Sequence, residues 1–128
     1  MRFRVLAIAS ILAMPSCAHV AEPSLPMALT IDEQEVGRVQ NGGDVRQALA
    51  SCEPPAKCRY VGLERDPQVN LAAEYGEGGY TTSFRSGPGG AIVTVARKGG
   101  GSIFSTSEMI GIVADYMDER EAAWIEWR

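Results

Sequence analysis

Cys17, Cys52 and Cys58 are the only cysteines in the chain, and their settings divide them between two kinds of chemistry. Cys52 and Cys58 flank the short stretch Glu53-Pro54-Pro55-Ala56-Lys57, which its prolines stiffen. In an oxidising compartment such a matched pair predicts a local disulfide. Chain-entropy arithmetic for so small a loop gives roughly 2 kcal/mol of stabilisation. The gap is wider than that of redox-active pairs, and no second cysteine pair completes a zinc site. A structural staple is therefore expected.

Cys17 belongs to a different pattern. It follows Met14-Pro15-Ser16 at the end of an apolar run from Val5 to Met14, and Arg2 and Arg4 precede that run. A positive start, a short apolar core and small residues before a cut are the marks of a secretory signal. The run is too short for a permanent membrane helix, which needs about twenty apolar residues. Two processing routes stay open. Cleavage after Ala18 discards Cys17 with a signal of residues 1–18. Read instead as a lipoprotein box, Met14-Pro15-Ser16-Cys17 ends the signal at residue 16 and makes Cys17 a lipid-bearing N-terminus. The first route predicts the periplasm, the second an outer-membrane-anchored lipoprotein.

Little else in the chain resembles catalytic machinery. His19 is the only histidine and falls beside the cleavage site, so a histidine-based triad or metal cluster is not expected. Glu64, Asp66, Glu74, Glu77 and the run Asp115–Glu121 supply carboxylates. Glycosidase chemistry would need two of them facing each other across a cleft. Their places on turns and on a helix's outer side predict solvated groups instead. Asp115, Asp118 and Glu119 lack the alternating oxygen ligands of a calcium loop. Gly76–Gly79, Gly87–Gly90 and Lys98–Gly101 carry no Gly-Lys-Ser/Thr and read as hairpin turns, not phosphate cradles. No cofactor, no metal and no enzymatic activity are expected.

The elements that position these residues follow from periodicity. Residues 19–26 read as a flexible leader and residues 27–128 as one domain. Met27–Asp32 alternates as a first strand, and Asn41-Gly42-Gly43 reads as a turn. Asp44, with Gln47 three residues on, is the expected cap of a short helix carrying Val45, Ala48 and Leu49 inward. Cys58–Glu64, Val69–Tyr75, Tyr80–Arg85 and Ala91–Ala96 are further expected strands. Ser105 with Glu108 forms a capping box. Met109, Ile110, Ile112, Val113, Tyr116 and Met117 then recur at helical spacing. Trp124 and Trp127 predict a docked C-terminus, with at least one ring buried. The expected class is α+β: an antiparallel sheet with one short and one longer C-terminal helix packed on one face.

Charge narrows the partners. The chain has 12 basic and 16 acidic residues, and losing Arg2 and Arg4 leaves 10 against 16, a net charge of −6. That balance argues against nucleic acid, whose binding rests on Lys and Arg neutralising phosphates. It argues equally against an anionic membrane surface, which leaves a lipid at Cys17 as the one membrane attachment.

From Leu63 onward the order of features resembles immunity protein family 1 of bacterial polymorphic toxin systems. The similar parts are Leu63-Glu64-Arg65, the strand Val69–Tyr75, and Gly78-Gly79-Tyr80 leading into Phe84-Arg85. They continue through Ser105–Glu108 at the last helix and the terminal Trp124-Ile125-Glu126-Trp127. The resemblance implies an inhibitor that binds and neutralises a secreted protein toxin, acting in this case in the periplasm. Charge and turn position single out Glu74, Glu77, Asp115 and Asp118 as the first residues to consider for toxin contact. Two other readings stay open: a small envelope accessory protein without catalytic activity, and a small hydrolase or carbohydrate binder using Trp124, Trp127 and the tyrosines as stacking platforms.

Overall fold

Alternation of apolar and polar residues lays out most of the sheet in the computed structural model. The structure describes residues 25–52, 58–65, 68–85, 91–120 and 122–127. The expected signal, Cys17, His19, Asp66, Glu121 and the turn expected at 87–90 lie outside them. The strands are β1 (Met27–Ile31), β2 (Gln34–Val39), β3 (Tyr60–Arg65), β4 (Gln68–Gly76), β5 (Gly79–Arg85), β6 (Ile92–Arg97) and β7 (Ile125–Trp127). They form one seven-stranded sheet in the order β2-β1-β3-β4-β5-β6-β7. Every neighbouring pair is antiparallel. Among the described residues two α-helices, α1 (Gly42–Ala48) and α2 (Thr106–Met117), complete the α+β fold.

One phase of each central strand points toward the helices. Leu29, Val61, Leu63, Leu71, Ala73 and Phe84 join Val45 of α1, its C-cap Leu49, and Met109, Val113 and Met117 of α2 in the main core. A second cluster of Val95, Phe104, Ile112 and Ile125 lies under β6 and β7, so α2 spans both. Fully burying one such side chain contributes about 1.5–3 kcal/mol, which makes this two-part core the dominant stabilising feature.

Strand β2 is absent from the sequence reading, and the reason is visible in its burial. Only Val39 of its six residues is buried, because β2 is an edge strand. The two-residue turn Asp32-Glu33 returns the chain into it, with both residues at positive φ (51° and 70°). Asp32 anchors that turn: its Oδ1 accepts from the Arg59 and Tyr60 amides, each at 2.9 Å.

The start of α1 also corrects the expectation. Asn41, not Asp44, is the N-cap, and its side chain accepts from the Asp44 amide at 2.9 Å. Asp44 reaches back to the Gln40 amide, also at 2.9 Å. Gly42 and Gly43 are the first helical residues rather than a turn. At α2 the expected capping box is present in full, with Ser105 and Glu108 exchanging backbone bonds.

Cys52 and Cys58 are buried against the main core with their sulfurs at bonding distance and their Cα atoms 5.3 Å apart. Beside them, the Tyr80 hydroxyl donates to the Cys58 carbonyl at 2.6 Å. The C-terminus is docked, as β7 pairs with β6. Neither tryptophan is fully buried, however: Trp124 is exposed, and Trp127 is half-buried against both clusters. Among the described residues no helix is long and apolar enough to cross a membrane.

Candidate functional site

With both helices on one side, the other phase of the strands faces away from the core. Tyr60 and Thr81 flank Glu74 on the neighbouring strands, and Gly62, Ala72 and Ser83 form the next row. Arg85 and Ile92 pair across β5 and β6 at the far end. Among the described residues no helix covers this face. Glu74, Arg85 and Ile92 are exposed, and Tyr60 is half-buried.

Two adjoining hollows mark the face. The first, about 360 Å³, is lined by Tyr60, Asn70, Ala72, Glu74, Ser83, Arg85 and Ile92. The second, about 550 Å³, wraps round the β4–β5 hairpin end, with Arg59, Tyr60, Glu74, Tyr75, Glu77 and Ile103 among its walls. Tyr60 and Glu74 belong to both. The sequence explains why these residues sit there. Gly62 has no side chain, and a Cβ on it would fall 3.2 Å from Tyr60 Cε2, so the ring lies across that gap. Burial first, then the negative charges of Glu64 and Glu74, raises the Tyr60 hydroxyl's pKa above its ordinary value.

A β-bulge sets Asn70 in place. Leu63 pairs with Leu71 while Glu64 pairs with Val69, so Asn70 is the extra residue of β4. It is 8% exposed, and its Oδ1 has no hydrogen-bond partner. A buried carbonyl oxygen left unpaired costs about 1–3 kcal/mol, so its presence beside a hollow is informative.

The four acidic residues singled out by charge do not form one patch. Glu74 and Glu77 share the hairpin-end hollow, and neither is in an ion pair among the described residues. Asp115 and Asp118 lie instead where α2 meets α1. Asp115 Oδ1 is 3.9 Å from Arg46, and Asp118 Oδ1 accepts from the Gly42 amide at 2.7 Å. Asp118 thus fixes the start of α1 and has a structural task. The sequence does not single out Asn70, Arg85 and Ile92 as site residues, and it brings in Tyr60 only among the tyrosines of the sugar-stacking alternative. The available signal was the polar phase of strands whose other phase is apolar, since it identifies the face away from the core.

Arg97 organises a separate cluster. Its guanidinium makes two hydrogen bonds to Glu108, at 3.0 and 2.8 Å, and lies over the rings of Phe104 and Trp124. That arrangement occupies one side of Trp124, the ring a sugar-stacking platform would need. Among the described residues no group of three His, Cys, Asp or Glu side chains could hold a metal ion. Comparison with known proteins supplies no family: no family profile, curated protein or solved structure matches the chain.

Proposed function

We propose that this chain is an exported immunity protein that binds a cognate secreted toxin and neutralises it by covering its active site. The observation that carries the reading is the uncovered sheet face. It presents the Tyr60 ring, the Glu74 carboxylate and the exposed Ile92 on hydrogen-bonded strands, and Glu74 has no ion-pair partner among the described residues. Recognition surfaces combine such anchors with polar groups, and strands hold them in fixed register. A buried disulfide suits folding in an oxidising compartment such as the periplasm. The acidic balance would speed encounter with a basic toxin by electrostatic steering.

The test is an affinity pull-down from the producing cells with the oxidised protein, followed by periplasmic co-expression. The reading expects one stoichiometric partner that kills when directed to the periplasm alone and is harmless beside this protein. Recovery of abundant envelope components only, with no toxicity to rescue, would overturn it in favour of the envelope-accessory reading.

A further inference from the structure

We infer that the Tyr60–Glu74 centre of the uncovered sheet face is a seat for an arginine side chain presented by a basic protein partner. The guanidinium stacks on Tyr60 and pairs with Glu74. Only the partner's identity as a toxin rests on the function proposed above.

The position of the seat follows from the two hollows, which meet at Tyr60 and Glu74. A group placed there touches both. Its charge follows from what surrounds it. Glu74 and Glu77 have no cationic partner among the described residues. Burial first, then the carboxylates of Glu64 and Glu74, raise the pKa of the Tyr60 hydroxyl, so the ring has anionic neighbours. Asn70 adds a second and independent indication. It lines the same hollow, is more than nine-tenths buried, and lacks a donor for its Oδ1. A guanidinium answers the carboxylate and the ring at the centre, and a further N–H group of the same partner answers Asn70, two rows along β4 beyond Ala72; a carboxylate or phosphate answers none of these.

Arginine fits better than lysine for a geometric reason. A guanidinium is planar, stacks on aromatic rings and offers five donors in a fixed fork. A lysine ammonium would meet Glu74 as a point charge and leave the ring unused. Arg85 closes one hollow and Arg59, which lies over Tyr75, flanks the other. The seat therefore takes one cation at its centre and disfavours further cations on either side. Ile92 and Ile103, 55% and 47% exposed, supply apolar rims on the two hollows. Such rims exclude water around a central charged contact, the arrangement found at energetic centres of interfaces.

The experiment titrates N-acetyl-arginine amide into the 15N-labelled, oxidised protein and follows amide shifts. Saturable shifts centred on Tyr60, the Asn70 side-chain amide, Glu74 and Ser83 are expected. The neutral isostere N-acetyl-citrulline amide should give none. Glu74→Gln, at an exposed position, should weaken arginine binding about fivefold, the upper range for a surface ion pair. Non-saturating shifts, shifts centred on Asp115 and Asp118, or equal binding of the citrulline probe would each overturn the seat. The citrulline comparison uses unaltered protein, so the test survives any folding defect in the variant. Because the titration involves no toxin, its failure beside intact periplasmic rescue removes the seat and leaves the immunity reading standing. A sound seat without any rescuable toxin does the reverse.

Discussion

Glu108 accepts two hydrogen bonds from Arg97 and one from the Ser105 amide, so its carboxylate closes α2's capping box and fastens β6 to the helix. The Arg97 hydrogen bonds first, then the Ser105 amide, hold its pKa down at about 2 against an ordinary 4.5. A pKa lowered on folding means that the folded state favours the ionised form. The resulting stability is fully present above the ordinary value of 4.5 and drains away as pH falls toward about 2. Melting temperature should therefore drop over that acid window, and Glu108→Gln should be less stable at neutral pH with a shallower acid slope. Parallel acid slopes for the two proteins would refute the assignment. Gly79 makes a second prediction at this scale. Its φ is +150°, and a Cβ there would fall 2.5 Å from the Phe104 carbonyl oxygen, a backbone atom paired with the Tyr80 amide at 2.8 Å. Gly79→Ala must push the Phe104 segment off β5, at about 1–3 kcal/mol in chemical denaturation.

At the scale of elements, α1 is too short to persist alone and depends on what holds its ends. Asn41 caps it from within, and Asp118 holds it from α2. Asp118→Ala removes a charged acceptor from the Gly42 amide and should destabilise the protein by about 1.5 kcal/mol. If Asp118 instead serves partner contact, the variant will keep its stability and lose binding. This helix also shows where the sequence stops being legible. Val45 and Leu49 announced its inward face, yet Asn41 and Asp44 are both competent caps and only the packed backbone chooses between them. Strand β2 was unreadable because an edge strand with one buried residue carries no alternation. The strands β3 to β6 and helix α2 were legible because each buries one continuous face, which burial writes into the residue order. The candidate site is a different matter. Tyr60, Asn70, Ser83 and Arg85 come from three strands, and only the sheet register brings them together. Asp115 and Asp118 looked free because helical periodicity points them off the apolar stripe, and it does not reveal that α1 packs there.

For the molecule as a whole, the two-part core makes α2 the element on which everything else depends. Met109, Val113 and Met117 close the main cluster over β3, β4 and β5, while Ile112 reaches into the second beneath β6 and β7. Removing the chain from Ser105 onward deletes these side chains together with β7, and it strips the apolar cover from Leu63, Leu71 and Phe84. Losing any one large core side chain costs about 2–5 kcal/mol, against a total stability of about 5–15 kcal/mol for a domain of this kind. Four such losses, about 8–20 kcal/mol together, match or exceed that margin, so the truncated protein should show no cooperative thermal transition and no near-ultraviolet circular dichroism. The disulfide does not rescue it, since Cys52–Cys58 closes a small loop worth only roughly 2 kcal/mol. The arginine probe then separates scaffold from site: the truncation leaves Tyr60, Asn70 and Glu74 in the chain but removes the sheet that aligns them. Saturable arginine binding by the truncated chain would mean that the seat forms without the helical layer. Its loss, beside retained binding in Asp118→Ala, would show that the sheet register creates the site and α2 holds that register in place.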